Sequence, residues 1–274
     1  MAKAFKRDCS FQDKDSSTDL EQRMESEYII ETRNLTKEFS GFVAVRNVNL
    51  KVRRGSIHAL IGPNGAGKTT VFNLLTKFLE PSSGQIFYKN RDMTGKNSAM
   101  LARRGLVRSF QISAVFPHLS VLENVRVALQ RETGTSFHFW KSDKSLNNLN
   151  EHAMAALEEV ELADYADAIA VELPYGRKRA LELATTLALK PEVMLLDEPT
   201  SGMGHEDVGR VMELIRKVAE NRTVLMVEHN LKVVADLSDT ITVLQRGQIL
   251  AEGGYEEVSN NPAVLEAYVG GHHA

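Results

Sequence analysis

The 274-residue sequence has little of several features that would each point to a particular class of protein. It contains a single cysteine, Cys9, which excludes an internal disulfide framework and favours a reducing compartment. No apolar run comes close to the length of about 18 residues that a membrane-spanning helix needs, and no apolar signal-peptide core follows Met1. We therefore expect a cytosolic protein, or one attached to a membrane only through a partner.

The sequence also has little excess of either sign of charge, since its net charge is −3. A nucleic-acid partner usually requires a basic excess, so none is expected. The sequence has neither an internal repeat nor a low-complexity tract. Hydrophobic residues at 43% and charged residues at 25% are ordinary for a globular protein, and the length allows one large α/β domain or two modest ones.

One glycine-rich run has the composition of a loop that binds a nucleotide triphosphate. It follows an apolar run typical of a strand, precedes a run typical of a helix, and reads Gly62-Pro63-Asn64-Gly65-Ala66-Gly67-Lys68-Thr69-Thr70. The glycines let the backbone turn tightly and point its N–H groups at the phosphates, and the helix N-terminus adds partial positive charge. Lys68 is predicted to reach the β- and γ-phosphates, and the Thr69 hydroxyl to bind Mg²⁺.

A second group of candidate residues ends the apolar run Val193–Leu196, where Asp197 and Glu198 follow directly. In a parallel α/β sheet, ligands bind at the carboxyl edge of the strands, so both carboxylates are expected near the phosphates. Asp197 is predicted to hold Mg²⁺ through water, and Glu198 to act on the attacking water as general base. A solvated acidic turn is the alternative interpretation.

The order of strand and helix patterns predicts an α/β fold. Short β-branched runs from Tyr28 indicate an N-terminal β part, and residues from about 93 to 189 indicate mainly helices. Unbroken apolar strands then return, alternating with helices, which predicts a mostly parallel sheet with helices on both faces. Residues 1–26 lack apolar periodicity and are predicted to be a disordered tail.

In this combination of motifs, the chain resembles the nucleotide-binding subunit of an ATP-binding-cassette (ABC) transporter, a P-loop NTPase, from about Tyr28 to Gly270. The resemblance implies one ABC ATPase domain over residues 27–270, with a helical subdomain at about 93–189 inserted in the α/β core and a short tail at 271–274. Gln111 matches the family's glutamine loop, which senses Mg²⁺ and the γ-phosphate. His229 matches the switch histidine that contacts the γ-phosphate. Phe39 lies where the family places an aromatic ring against adenine, with Phe42 as its competitor.

The resemblance weakens at the family signature, usually Leu-Ser-Gly-Gly-Gln, which here reads Leu173-Pro174-Tyr175-Gly176-Arg177. In the family this loop closes on the γ-phosphate held by a second cassette. Pro174 removes both a hydroxyl and an N–H donor, although proline is compatible with the first turn of a helix. Cations follow at Arg177 to Arg179, where either a phosphate across the interface or a solvated basic face would explain them. The adjoining loop, Ser201 to Gly204, lacks the aspartate that many relatives carry.

The resemblance implies an ATPase that uses ATP and Mg²⁺, works as a homo- or heterodimer of cassettes, and drives permease subunits at the inner face of the membrane. The signature, the residues after Glu198 and the C-terminal run to Gly270 resemble the branched-chain amino acid uptake branch, which also employs a periplasmic binding protein. Amides, urea or lipopolysaccharide are alternative cargoes. There are two alternative functions. One is a soluble ABC ATPase that acts on chromosomes, in DNA repair or on ribosomes, and the other is a regulatory subunit with slow hydrolysis. The segment Ile112 to Leu119 is the candidate permease contact, with packing of the helical part as the alternative.

Overall fold

The computed structural model describes residues 27–109, 115–130 and 149–269. The predicted tails at 1–26 and 271–274 lie outside the described residues, and so does Gln111. The described strands are, in chain order, β1 (Tyr28–Phe39), β2 (Phe42–Val48), β3 (Lys51–Arg53), β4 (Ile57–Ile61), β5 (Ser83–Tyr88), β6 (Arg91–Asp92), β7 (Leu106–Ser109), β8 (Val193–Asp197), β9 (Thr223–Val227), β10 (Thr240–Gln245) and β11 (Gln248–Gly253).

The described helices are, in chain order, α1 (Lys68–Leu75), α2 (Ser98–Arg103), α3 (Val121–Gln130), α4 (Asn150–Glu159), α5 (Tyr175–Leu187), α6 (His205–Ala219), α7 (Leu231–Leu237), α8 (Tyr255–Ser259) and α9 (Pro262–Val269). Two short 3₁₀ turns, Ala163–Tyr165 and Ala170–Glu172, connect α4 to α5. Within the described ranges, no helix combines the length and the apolar character that crossing a bilayer requires.

The larger sheet has the strand order β11-β10-β4-β9-β8-β7. Its strands run parallel from β10 to β7, and only β11 is antiparallel. Strands β4, β8 and β9 are buried along their whole length, as their mostly apolar sequences predict. The predicted parallel core is therefore confirmed.

The two faces of this sheet bury two different clusters, and β4 contributes to both. Ile57, Ala59 and Ile61 pack on one face in the larger cluster, together with residues of α3 to α7. Leu60 points to the other face, where α1 and the N-terminal strands cover it. Successive side chains of a strand alternate between faces, so β4, which is buried at every position, needs cover on both sides.

The N-terminal β part is a separate antiparallel sheet with the order β2-β1-β5-β6, and β3 pairs with β1. It carries the backbone of Ala44 to the glycine-rich loop. Strand β7 was not predicted: it lies inside the stretch expected to be mainly helical but forms the outermost strand of the parallel sheet. Only four residues long and half polar, it has too short a pattern to be recognised locally.

Candidate nucleotide site

Three strand ends bring the predicted site residues to one edge of the parallel sheet. Strand β9 lies between β4 and β8, and Val227 pairs with Leu60 on one side and with Asp197 on the other. Neighbouring strands are about 4.8 Å apart, so the ends of β4 and β8 are separated by about 10 Å. The glycine-rich loop, the acidic pair and His229 therefore follow three adjacent strands at the same level.

The glycine-rich loop, residues 62–67, has a backbone that only glycine adopts easily at three positions. Gly62, Gly65 and Gly67 have φ angles of 147°, 77° and 100°. A Cβ on Gly62 would lie 2.1 Å from the Leu244 oxygen, and one on Gly67 would lie 2.7 Å from the Ala44 oxygen. The loop is thus closely enclosed by the neighbouring backbone, and its shape depends on these glycines.

The remaining loop residues hold this shape or face solvent. The Ala66 amide donates to the Pro63 carbonyl (3.1 Å), and the Ala66 carbonyl accepts from the Gly247 amide (2.9 Å). Ala66 is buried and Asn64 is exposed. Thr70 is half-buried in the first turn of α1. The loop is therefore anchored through its backbone to the β10–β11 turn.

Lys68 lies folded over the loop that precedes it. Its Nζ donates to the carbonyls of Gly62 (2.7 Å) and Pro63 (3.0 Å). Burial lowers the pKa of this amine, and the negative charge of Glu198 partly opposes the shift. The amine and the carboxylate therefore belong to one electrostatic site. Thr69, next in the chain, is exposed in the first turn of α1.

Asp197 ends β8 with only 3% of its surface exposed. Its Oδ2 forms an ion pair with Nη2 of Arg108, the third residue of β7. Nη1 of the same guanidinium donates to Oδ1 of Asn73 in α1 (2.6 Å). Arg108 therefore ties the predicted metal-binding carboxylate to the helix that follows the glycine-rich loop.

Glu198 lies in a turn with an uncommon backbone. Its φ is 47°, in the left-handed region, where a non-glycine residue persists only if surrounding contacts hold it. Its amide donates to the Val227 carbonyl (2.9 Å). Its own carbonyl accepts from Nη2 of Arg179 (3.0 Å), and the Pro199 carbonyl accepts from Nε of Arg179 (3.2 Å). The turn is thus fixed from β9 and from α5.

Neither explanation given for the cations Arg177 to Arg179, a phosphate across the interface or a solvated basic face, describes Arg179. It is buried rather than solvated, and it faces backbone carbonyls of its own chain. Its Nη1 pairs with Oε2 of Glu182 one turn later (2.5 Å). Arg177, by contrast, stacks on Tyr165, with 4.0 Å from Cζ to the ring centroid.

The signature residues begin α5 beside the loop that follows Glu198. Leu173 is buried in the larger core cluster, and the exposed Pro174 precedes the first helical residue without a side-chain cap. The Tyr175 hydroxyl donates to the Ser201 carbonyl (3.2 Å). A Cβ on Gly176 would lie 2.5 Å from Oδ1 of Asp207, so this glycine allows α6 to approach closely.

Both candidate adenine-stacking residues lie at the tip of the β1–β2 hairpin. Phe39 and Phe42 pair across the turn and are 41% and 69% exposed. Nζ of Lys37 lies 5.1 Å from the centroid of the Phe39 ring. The hairpin reaches the glycine-rich loop through Ala44, but the choice of Phe39 over Phe42 stays a prediction.

His229, which matches the switch histidine, is exposed and follows the buried Glu228. The C-terminal helix α9 also reaches the glycine-rich loop. Burial raises the pKa of Tyr268, and a hydrogen bond with the Gly62 backbone opposes the shift. Within the described ranges, no cluster of three or more His, Cys, Asp or Glu side chains is arranged to hold a metal ion by itself.

Two residues of the site, Arg108 and Glu228, were missed in the sequence, whereas Arg179 was singled out but expected to face a phosphate or solvent. Arg179 and Glu182 are spaced i, i+3 within an otherwise apolar stretch of α5, and Glu228 follows a strand whose last four residues are apolar. A charge within an apolar pattern is the signal that could have identified these two. Arg108 lies in a strand that was itself unrecognised.

The chain is similar in sequence to known protein families and to individual relatives. The family model described as ABC transporter matches residues 45–201, and the one described as branched-chain amino acid ATP-binding cassette transporter matches residues 248–274. The high-affinity branched-chain amino acid transport ATP-binding protein BraF of Pseudomonas aeruginosa is 39% identical, over 88% of this chain and 98% of BraF. LivG of Escherichia coli, with the same description, is 38% identical over 89% of this chain and 99% of LivG.

A solved structure gives the same fold. The ADP conformation of MJ1267, an ATP-binding cassette of an ABC transporter, matches with a TM-score of 0.80 and 31% identity, covering 89% of this chain and all of that one. The chain therefore belongs to the ABC transporter family and is one of its nucleotide-binding cassettes, ATPases that power transport.

Proposed function

We propose that this cassette hydrolyses ATP to power the uptake of branched-chain amino acids through partner permeases. Two observations support the cargo. BraF and LivG, related over almost their full length, are named as branched-chain amino acid transport proteins. The family model for that branch matches the C-terminal residues from 248, which include Tyr268 at the glycine-rich loop.

We assign the binding of ATP to the loop Gly62–Gly67, Lys68 and the start of α1. The uncapped N-terminus of α1 supplies backbone N–H groups and partial positive charge to the phosphates. Lys68 would exchange its two carbonyl partners for phosphate oxygens, which are stronger acceptors. One of the two phenylalanines at the hairpin tip, Phe39 in preference to Phe42, would stack on adenine.

The oxygen donors near the loop fit Mg²⁺. The Thr69 hydroxyl and the Asp197 carboxylate are ligands of the kind this ion prefers, and Gln111 is a third candidate outside the described residues. Few protein ligands are needed, because Mg²⁺ at nucleotide sites is bound largely by phosphates and water. When bound, the ion neutralises charge that develops on the phosphates.

We assign the chemistry to Glu198 and His229. The Glu198 carboxylate accepts a proton from water while the water oxygen attacks the γ-phosphorus and the bond to the departing ADP oxygen breaks. The hydrogen bonds to the Glu198 backbone fix the turn that carries this carboxylate. His229, exposed at the neighbouring strand end, would contact the γ-phosphate.

Two cassettes would complete each site, because the signature of one closes on the nucleotide of the other. The exposed Pro174 and Tyr175 and the uncapped start of α5 support this role. Either a second copy or a related cassette could serve as partner. The permeases would dock beside Phe116, which is exposed in a cleft that also includes Ala128 and Thr186. The protein would then be peripheral at the cytoplasmic face of the membrane.

The single observation that carries the proposal is the meeting of the glycine-rich loop, Asp197–Glu198 and His229 at adjacent strand ends. Glu198→Gln in the complete transporter should preserve ATP binding and lower turnover by about 100-fold or more, since a general base contributes that much. Glu192→Gln, the same change at the opposite end of β8, is the control and should retain turnover. Normal turnover in Glu198→Gln would remove the assigned role.

The cargo is tested separately, with wild-type cassette, permeases and binding protein in liposomes. Leucine, isoleucine or valine should stimulate ATP hydrolysis and accumulate inside, whereas amides and urea should do neither. Stimulation by an amide or urea alone would reassign the cargo without affecting the ATPase. Slow hydrolysis that rises only when a different cassette is added would favour the regulatory-subunit alternative.

A further inference from the structure

A buried carboxylate joins the two loops that carry the proposed catalytic residues. Glu228 follows β9 directly, between Val227 and His229, and none of its surface is exposed. A carboxylate that is removed from water must be compensated by hydrogen bonds or by a cation. The identity of its partners therefore indicates what this residue is for.

Among the described residues, four donors surround the Glu228 carboxylate, two on each oxygen. Oε1 accepts from the amide and the hydroxyl of Thr200, at 3.1 and 2.6 Å. Oε2 accepts from the amides of His229 and Asn230, at 3.0 and 3.2 Å. None of these donors carries a charge. One oxygen thus holds the loop after β8, and the other holds the loop after β9.

The arrangement requires a carboxylate rather than an amide. A glutamine at this position would have one acceptor oxygen and one NH₂ group, so the NH₂ would face either Thr200 or the two amides of the β9 loop. Two donors that meet repel each other, and the buried groups lose their partners. Glutamine would therefore fill the space but separate the two loops.

Both loops belong to the proposed site. Thr200 is two residues after Glu198, and the Ser201 carbonyl that follows accepts from Tyr175 at the start of the signature helix. On the other side, His229 is the proposed γ-phosphate contact. The Glu228 side chain thus connects the turn that faces the signature with the turn that faces the phosphate, in addition to the backbone hydrogen bond from Glu198 to Val227.

We propose that Glu228 is a positioning residue that makes the Glu198 turn and His229 move as one unit. The inference rests on the proposed roles of Glu198 and His229. A shift of the Thr200 loop, caused by contact with a second cassette, is transmitted through the carboxylate to the backbone of His229. The carboxylate acts on hydrolysis through the placement of these residues and touches no nucleotide.

The test uses Glu228→Gln in the complete transporter, with Asn230→Ala as matched control. The Asn230 side chain caps α7 by accepting from the amides of Lys232 and Val233, so its loss destabilises the same loop and leaves the Glu228 bonds in place. We expect the kcat of Glu228→Gln to be about tenfold lower than that of the wild type and its KM for ATP to stay within about twofold. This is the pattern of a lost contribution to transition-state stabilisation. Asn230→Ala should lower the melting temperature and keep kcat.

A graded pair sharpens the test at the other end of the connection. Thr200→Val removes the hydroxyl and keeps the amide, so kcat should fall by about threefold, whereas Thr200→Ser should match the wild type. In Glu228→Gln combined with His229→Ala, turnover should be no lower than in His229→Ala alone, because residues that act as a unit are not additive.

Three outcomes would overturn the inference. The first is a kcat of Glu228→Gln within about twofold of the wild-type value. The second is a fall in kcat for Asn230→Ala as large as that for Glu228→Gln. The third is a double variant of Glu228→Gln and His229→Ala in which the two losses of turnover multiply. Failure of the proposed function gives a different result, in which Glu198→Gln or His229→Ala retains turnover. If those two variants lose turnover and Glu228→Gln does not, only the coupling by Glu228 is rejected.

Discussion

The glycine-rich loop and the signature turn, residues 173–177 at the start of α5, have similar backbone arrangements but different side chains. Each leads from an extended segment into a helix, α1 or α5, that begins without a side-chain cap. Among the described helices, α2 and α7 are capped by Asn97 and Asn230, whereas α4, α6 and α8 also begin without a side-chain cap. An uncapped N-terminus leaves backbone N–H groups for another partner, which suits a phosphate at both places.

The difference lies in the side chains. The glycine-rich loop consists largely of backbone, and the cation that follows it, Lys68, donates to two carbonyls that a phosphate can replace. At the signature turn, Tyr175, Arg177 and Arg179 are engaged with Ser201, Tyr165 and the acidic turn of the same chain. We infer that the first region is built to bind the nucleotide, whereas the second is built to position other parts of the site. Substitutions should therefore affect binding in one region and turnover in the other.

The largest effect is expected from Lys68→Ala. Removal of the cation that faces the phosphates should weaken ATP binding by about 100-fold or more. Equilibrium titration of the purified cassette with a fluorescent ATP analogue measures this affinity. Lys178→Ala, which removes a half-exposed cation from α5, is the control and should bind normally. An equal loss in both variants would erase the distinction between the regions.

Gly67→Ala should have the next largest effect, because the loop depends on its backbone. The residue has a φ of 100°, and the added Cβ would lie 2.7 Å from the Ala44 oxygen. We expect ATP binding to weaken by about tenfold and stability to fall by about 1–3 kcal/mol. The same change at Gly209, exposed within α6 with open space around it, should stabilise by about 0.5–1 kcal/mol. Thermal unfolding of both variants provides the comparison.

Arg179→Met tests the positioning role of the signature helix. The change removes donors to the carbonyls of Glu198 and Pro199 and leaves the buried Glu182 without its partner. Stability should fall by about 3–5 kcal/mol. A second substitution, Glu182→Met, should restore most of the stability, while turnover stays about tenfold below wild type with ATP binding intact. Recovery of turnover together with stability would show that Arg179 has a purely structural role.

The smallest effect is expected from Pro174→Ser, which restores the residue usual in the family. Pro174 already has the extended φ and ψ of −55° and 156° that a helix-capping serine would adopt. Turnover in the complete transporter should therefore change by less than about threefold. An increase of tenfold would instead mean that the proline keeps the opposite site slow, as in a regulatory subunit.

The sequence by itself determined the parts whose cause is local. The apolar strands, the glycine-rich loop and the acidic pair at the end of β8 were predicted, because neighbouring residues determine backbone geometry and the periodicity of burial. Strand β7 was missed because four half-polar residues carry too little pattern. The helical subdomain bounds and the roles of Gln111 and the signature stay predictions.

Only the tertiary structure decided what the buried charges do. Arg108 meets Asp197 from 89 residues away, Arg179 meets Pro199 from 20, and Glu228 meets Thr200 from 28. A charged residue in a sequence is compatible with solvent, a ligand or an internal partner. Packing alone selects among these, because the cost of burying a charge is offset only by partners that the fold brings within hydrogen-bond distance.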